Sequence, residues 1–274
     1  MKRFALSIAA LLTMASAASA AVIVDDKFND GSAANGTDIT ETDTTWSAFN
    51  ANGTVTIVGG ADSNSIDGNT LRIQASGGNT RLVGTMPAIT LASAGDSITL
   101  AADYRYDSTY TVRSVRFGLE NFTAPVSGYA FSFAPGGAST IGGEIYRYQA
   151  LVGGGNNNGT EGGNSARFET TDPENAVHRI SLSITRLAND GLELTAAASF
   201  IAGGSATLTT LTPVTYTFDR ISVRFDNVLN GNTGPAYFDN ISLTTGSAAV
   251  PEPATMGLAM MCGAFMLQRR RPAV

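Results

Sequence analysis

One aspartate in a long apolar alternation is the first residue whose position could carry chemistry. Asp239 is in phase with Ile241 and Leu243, so its side chain is expected to point toward the core unless a bulge intervenes. A buried carboxylate needs a partner, and the two structural explanations are that Asp239 caps a loop or pairs with an arginine. The segment Asp25–Gly31 is not an EF-hand, because Phe28 stands where that loop requires an oxygen ligand.

Aromatic side chains are the second group that could bind a ligand. Flat rings stack on sugar rings, and the polar tips of tyrosine and tryptophan form hydrogen bonds. The candidates for a sugar-binding face are Trp46, Tyr104, Tyr106, Tyr110, Tyr146 and Tyr148. Tyr146 and Tyr148 share one face of a strand, opposite to Ile145. The alternative for each ring is packing in the core or against a neighbouring strand.

Catalysis has little support in the sequence. His178 is the one histidine, and it opens an alternating strand, which predicts a surface or rim position. A single histidine excludes a histidine-based zinc site, and nothing singles out a Ser-His-Asp triad. Glu169 and Glu174 cluster around a predicted turn rather than along a strand. We therefore predict a non-enzyme, with a glycoside hydrolase or lyase as a less favoured alternative.

These residues must be positioned by strands. Only 15% of the residues are charged and 30 are glycines, which argues against long surface helices. Period-two alternation recurs in about a dozen segments from Thr54 to Thr244. Asn189-Asp190-Gly191 between two such runs predicts a hairpin. The sequence predicts one all-β domain, an antiparallel β-sandwich of jelly-roll type, over Val22–Ser247.

The two ends differ from this body in composition. Residues 1–20 have a basic start, an apolar stretch and the small residues of a signal peptide, which predicts cleavage between Ala20 and Ala21. Ala15-Ser16-Ala17 is a second candidate site, and an uncleaved membrane helix is the alternative. Near the other end, an apolar run of fourteen residues, Ala254–Leu267, would rise only about 21 Å as a helix, short of the ~30 Å of a membrane core.

The residues around that apolar run have a specific order. Pro251, Glu252 and Pro253 precede it, and the cluster Arg269, Arg270 and Arg271 follows it. Over residues 251–271 the segment resembles the PEP-CTERM sorting tail of exported bacterial proteins. The resemblance implies recognition by an exosortase, removal of the tail, and a cell-surface or extracellular-matrix destination, often with exopolysaccharide. A plain C-terminal membrane anchor is the alternative.

Charge and cysteine usage narrow the partners of the body. Removing the five basic residues and one acidic residue of the end segments leaves 12 basic and 22 acidic residues, a net charge of −10. This balance disfavours nucleic acid and anionic lipid, and it leaves room for a cation. Cys262, the one cysteine, lies in the tail, so the body is expected to fold without a disulfide.

The body carries a second, more diffuse resemblance. The strand beginning at His178, the Asn-Asp-Gly turn and Leu192-Glu193-Leu194 resemble concanavalin A-like (laminin G-like) sandwiches. The segments Phe28–Gly31 and Tyr237–Leu243 resemble the opening and closing strands of carbohydrate-binding jelly rolls. That resemblance implies a structural calcium held by Asp239 beside the first strand. The carboxylates that could complete the site are Asp25, Asp26 and Asp30.

Together these features predict an exported protein with a structural or adhesive role in extracellular polymer. The alternative is a glycan-binding module with specific sugar contacts.

Overall fold

The described part of the chain folds into strands joined by turns and bends, and it contains no helix. The computed structural model describes residues 20–28, 44–49, 53–58, 66, 68–75, 79–106, 114–122, 126–133, 143–149, 165–168, 176–226 and 235–247. The predicted signal segment up to residue 19 and the sorting tail at 251–271 lie outside these residues, and so do Asp30 and Tyr110. Among the described residues, no helix is long and apolar enough to cross a membrane.

Fifteen strands cover the described residues. They are β1 (Ala21–Asp26), β2 (Thr45–Phe49), β3 (Gly53–Val58), β4 (Thr70–Ala75), β5 (Asn79–Thr90), β6 (Ser97–Tyr106), β7 (Ser114–Asn121), β8 (Ser127–Phe133), β9 (Gly143–Gln149), β10 (Ser165–Phe168), β11 (His178–Arg186), β12 (Leu192–Ala198), β13 (Ser205–Thr210), β14 (Thr217–Asp226) and β15 (Ala236–Gly246). They belong to one unit, Ala20–Gly246.

The strands form two antiparallel sheets. Sheet A has the order β13-β12-β11-β6-β15-β4-β3, and β1 also pairs with β15. Sheet B has the order β10-β9-β8-β7-β14-β5-β2. One edge of β15 pairs with β6. Its other edge pairs with two strands, with β4 at Ala236–Phe238 and with β1 at Ile241–Thr245. Ala21 and Thr245 are direct partners, so the two ends of the body leave it side by side.

Aromatic rings join the two sheets at the core. The ring of Tyr104 in sheet A lies 5.1 Å from that of Phe133 in sheet B. Phe238 in sheet A stacks on Phe117 in sheet B at 6.2 Å. Each ring buried in this way contributes roughly 1.5–3 kcal/mol through the hydrophobic effect. The expectation of an all-β antiparallel sandwich is therefore confirmed, while the finer jelly-roll topology stays a prediction.

The predicted hairpin at residues 189–191 joins β11 to β12. The Leu187 N–H donates to the Gly191 carbonyl at 2.9 Å, which closes the loop. Asp190 has a φ of 59°, a left-handed conformation that aspartate tolerates better than most residues. The Gly191 N–H also donates to the Asn189 side-chain oxygen at 3.1 Å. The turn chemistry read from the sequence is thus the chemistry that closes the hairpin.

A bulge in β15 reverses the expected direction of Asp239. Asp239 pairs with Asp103 of β6, but the next regular pair is Ser242 with Ala101, so β15 has one extra residue here. Asn240 lies in the left-handed region with a φ of 48°. Asp239 therefore shares the outer face of sheet A with Asp103, and it does not point into the core, although it is buried.

The repeated pattern Phe-Asp-x-Ile-Ser lies on two corresponding strands. Phe218–Ser222 is in β14, near the middle of sheet B, and Phe238–Ser242 is in β15, near the middle of sheet A. The register of both strands is irregular at the aspartate. The repeat is thus two similar strands of one sandwich.

Candidate functional site

Three arginines lie side by side on the outer face of sheet B. Arg224 of β14 is directly opposite Arg81 of β5 on one side and Arg116 of β7 on the other. Their neighbours along the chain, such as Leu82, Phe117 and Val223, are buried in the core, so alternation turns the arginines outward. We call these three residues the arginine row. Register continues the row through Ser132 of β8 to Glu144 of β9.

A buried ion pair anchors one end of the arginine row. The Arg81 guanidinium donates to the Glu120 carboxylate, and its Nε donates to Ser222 Oγ at 3.3 Å. The two charged side chains are only 7% and 3% exposed. They lie on the two strands that flank β14, Arg81 opposite Arg224 and Glu120 opposite Arg220, four residues apart, so the pair crosses β14 at Ser222. Both charges are therefore fixed in place at a desolvation cost that their attraction must offset.

The exposed fraction of the outward side chains increases from β5 toward β9. Arg81 and Arg224 are 6% and 8% exposed. Arg116, Ser132 and Glu144 are half-buried. Charged groups in a partly desolvated site interact more strongly than they do in water. Burial is thus deepest at Arg81 and Arg224, and it is less complete from Arg116 of β7 to Glu144 of β9.

Small residues lie beside the arginine row. The next row across sheet B is Val83, Ser222, Gly118 and Ala130. A Cβ on Gly118 would lie 2.3 Å from the Tyr129 carbonyl oxygen and 2.6 Å from the Ala130 Cβ, so only glycine fits. All four residues of this row are buried.

Arg220, one row further on, is held by its own neighbours. Its guanidinium lies 3.8 Å above the Phe122 ring, and its Nε is 4.0 Å from Asp219 Oδ1. Asp219 in turn accepts a hydrogen bond from the Phe122 N–H at 3.0 Å. This arginine packs at the border of the face and is not counted in the arginine row.

Asp26, one of the proposed calcium ligands, has a structural role instead. Its Oδ2 accepts hydrogen bonds from Trp46 Nε1 at 2.8 Å and from the Thr44 N–H at 3.4 Å. Its Oδ1 accepts from the Phe28 N–H at 3.2 Å, where Phe28 has a φ of 56°. N–H donors thus point at both oxygens, which does not fit a cation there. The carboxylate instead links β1 of sheet A to β2 of sheet B.

The other proposed calcium ligands that the structure describes, Asp25 and Asp239, each have a partner within the protein. Asp25 forms an exposed ion pair with Lys27 at 3.1 Å, and Asp239 accepts from the Asn240 N–H at 2.7 Å. The structure does place β1 beside β15, as the resemblance implies. Within the described residues, no group of three or more histidine, cysteine, aspartate or glutamate side chains could hold a metal. Calcium therefore stays a prediction.

The aromatic candidates divide into buried rings and undescribed ones. Tyr104 and Tyr106 have no exposed surface and Trp46 is 7% exposed, so these three rings have no open face for a sugar. They pack in the core because their strands present them on its side, which is the alternative stated for each ring. Tyr146 and Tyr148 pair through their backbones with Ala130 and Gly128, and their side chains lie outside the described residues.

His178 lies at the rim of the sandwich. Its ring is half-buried, contacts Phe200 edge-to-face at 5.3 Å, and places Nδ1 2.6 Å from Ser199 Oγ. These contacts fit the surface or rim position expected from the sequence.

Sequence reasoning missed the arginine row, although a signal for it exists. Val115-Arg116-Phe117 and Val223-Arg224-Phe225 alternate apolar and basic residues, a pattern that by itself indicates only a strand. Which strands are neighbours cannot be read from alternation, so the row emerges only from the sheet order.

Comparison with known proteins confirms the sorting tail. Residues 249–271 match the model of the PEP-CTERM protein-sorting motif. That motif marks an exported protein that is processed by an exosortase and held at the membrane before cleavage. No curated protein matches the chain in sequence.

Several solved structures are similar to the chain at low sequence identity. Alginate lyase Aly36B is 14% identical with a TM-score of 0.47, over 84% of this chain and 97% of that one. Peanut lectin is 9% identical with a TM-score of 0.47, over 84% and 98%. A winged bean acidic lectin in complex with methyl-α-D-galactose is 9% identical with a TM-score of 0.47, over 83% and 99%.

Proposed function

We propose that this exported protein is a component of the cell surface or extracellular matrix whose β-sandwich binds polysaccharide without cleaving it. The outer face of sheet B, centred on the arginine row, is the proposed binding face. The observation that carries the proposal is the burial of Arg81, Arg224 and Glu120 on the outside of a sheet, where charged residues ordinarily face water.

Burial of these charges has no evident structural benefit. A buried ion pair is often no more stabilising than apolar residues of the same size, because desolvation offsets the attraction. Proteins keep residues that do not favour stability mainly at functional sites. Fixed guanidinium and carboxylate groups beside a row of small residues supply hydrogen-bonding groups in a set geometry, which saccharide recognition requires.

A binding role is favoured over hydrolysis by the state of Glu120. Glycoside hydrolases use two carboxyl groups that flank the scissile bond. Glu120 is engaged by Arg81 on this face, so it does not form a pair of catalytic carboxyl groups with Glu144. A loss of polysaccharide turnover in Glu144→Gln, with binding retained, would instead support an enzyme.

Affinity electrophoresis tests the binding proposal. The protein secreted by its host is run in native gels with and without the exopolysaccharide of that host. We expect retardation by the polysaccharide that is lost in Arg116→Gln. The matched control is Arg179→Gln, the same charge change on the outer face of sheet A, which should be retarded like the wild type. Absence of retardation in the wild type contradicts the proposal.

The processing sites are tested separately by mass spectrometry of the mature protein. We expect an amino terminus at Ala21 and a carboxyl terminus upstream of the arginine cluster. A mature protein that still carries residues 269–271 would contradict removal of the tail and support a retained anchor.

A further inference from the structure

We infer that the edge of β13 that faces away from β12 pairs with the same edge of a second copy, which joins sheet A of two bodies into one continuous sheet. This self-association goes beyond the proposed polysaccharide binding and does not depend on it.

The first support is the position of β13 in the sheet. Among the described strands, β13 is the last strand of sheet A and forms a ladder with β12 only. β10 of sheet B lies close to β13, but the two strands form no ladder. In an antiparallel pair, alternate residues of a strand direct their N–H and C=O groups away from the partner. β13 therefore presents a row of backbone groups with which a further strand can pair.

The second support is the composition of β13, which lacks the features that usually protect an edge strand. Its six residues, Ser205–Thr210, include no charged residue and no proline. The strand pairs with β12 without a bulge. The nearby edge strand of sheet B is different, because β10 has only four residues and one of them is Arg167. A long, regular and uncharged edge is the kind that pairs with another chain.

The third support is the incomplete cover of the apolar side chains of β13. Leu208 is opposite the buried Leu194, and it packs against the core together with Ala206. Both Ala206 and Leu208 are nevertheless only half-buried. Leu211, which directly follows the strand, is 64% exposed. A strand added beside β13 would remove part of this apolar surface from water, which favours association.

A second copy of the chain is the strand donor that these residues favour. Antiparallel pairing about a two-fold axis at Thr207 would place Ala206 of one copy opposite Leu208 of the other. Serine and threonine would then share the outward positions on both copies, and the core-facing residues would share the inward ones. Because β13 has no charged residue, no like charges would face each other across the pair, although each body carries a net charge of −10.

The expected dimer is weak and closed. An edge of six residues is small beside the ~800 Å² that each partner buries in a stable interface. A two-fold contact uses the edge of each copy once, so the association ends at the dimer. A weak contact of this kind suits a protein that is held at high local concentration on a surface or in a matrix.

Sedimentation equilibrium of the mature protein secreted by its host tests the inference. We expect a monomer–dimer equilibrium in the wild type. Thr207→Lys brings two positive charges together near the two-fold axis, which should weaken dimerisation roughly tenfold or more. The matched control is Thr195→Lys, the same change at the residue directly opposite Thr207 on β12, one strand away from the edge. This control should dimerise like the wild type.

A charge swap separates the contact from a general effect on folding. Thr207→Lys mixed with Thr207→Glu should form a heterodimer at least as readily as the wild type forms its homodimer, because opposite charges then meet. Neither variant should dimerise well alone. Circular dichroism checks that each variant is folded.

The outcomes are distinct from those of the polysaccharide experiment. A wild type that stays monomeric at every concentration would overturn the inference, and so would equal dimerisation of Thr207→Lys and Thr195→Lys. A mixture of the two charged Thr207 variants that fails to associate would overturn the pairing of β13 with itself, as would association that continues beyond the dimer. Retardation by the host exopolysaccharide in native gels tests the proposed function and is independent of these results.

Discussion

The outer faces of the two sheets each have a central row of residues that alternation turns outward, and the two rows differ in chemistry. On sheet A, the outward row across five strands is uncharged and carries a hydroxyl group at every position. Its members are Thr207, Thr195, Ser183, Thr99 and Thr244. Neighbouring hydroxyls bond directly, at 2.9 Å between Thr99 and Ser183 and at 3.3 Å between Thr195 and Thr207. On sheet B the corresponding outward positions hold buried arginines and Glu120.

The contrast is between two rows of residues, because sheet A also carries charged residues on its outer face, among them Asp103, Arg179 and the buried Asp239. Four of the five hydroxyl groups of the sheet A row bond to each other in pairs, and the row is partly solvated. On sheet B, Arg81, Arg224 and Glu120 are kept out of water, which costs desolvation energy. Matched substitutions on the two faces test this difference.

The largest effect is expected from Glu120→Gln. This change leaves the buried Arg81 without its counter-charge, which should lower the free energy of unfolding by about 3–5 kcal/mol. The matched change on sheet A is Arg179→Gln, which removes an exposed pair with Asp103 and should cost about 1 kcal/mol or less. Denaturant unfolding of both variants measures the difference, and equal losses would contradict the contrast between the faces.

An alkaline instability should follow from Tyr129 on the core side of sheet B. Burial raises the pKa of Tyr129 to about 12, although its hydroxyl bonds the backbone of Val214 and Thr215. The unfolded tyrosine ionises near pH 10, so stability is complete below pH 10 and is lost as the pH rises toward 12. The loss should reach about 3 kcal/mol.

The control for this effect is Tyr129→Phe, which removes the ionisable group. Unfolding free energies measured from pH 8 to pH 12 should fall less steeply in the variant. An identical pH profile in both proteins would place the alkaline instability elsewhere.

A smaller effect is expected from Asp26→Asn at the link between the sheets. The asparagine side chain has an NH2 group in place of one carboxylate oxygen, so at least one of the three N–H groups that bond Asp26 loses its acceptor. The free energy of unfolding should fall by about 1–3 kcal/mol. Trp46 is the one tryptophan of the chain, so its fluorescence reports directly on this link. We expect a red-shifted native emission, and an unchanged spectrum would contradict the role of the Asp26 bond.

The smallest effect is expected from Thr99→Val on sheet A. Valine keeps the shape and strand preference of threonine and loses one exposed hydroxyl pair, so the change should stay within about 0.5 kcal/mol. A melting temperature lowered as far as in Glu120→Gln would show that the hydroxyl row stabilises the fold as strongly as the buried ion pair does.

The sequence predicts the fold better than the site, for a physical reason. Alternation places Leu100 and Leu182 in the core, and turn chemistry places the hairpin at Asn189, because both signals are local. Asp239 lies on the outer face because a bulge at Asn240, the exception stated for it, shifts the phase by one residue, and alternation alone does not locate a bulge. The arginine row joins β5, β7 and β14, and such long-range pairing leaves no trace in any one segment.

The pairing of Ala21 with Thr245 has a mechanical consequence. A body attached through either terminus, or through both at once, is suspended from a single corner of the sandwich. Force applied between the termini would therefore peel β1 from β15 and leave the other strand pairs unloaded. The two proposed cleavages, in either order, would require no rearrangement of the sheets.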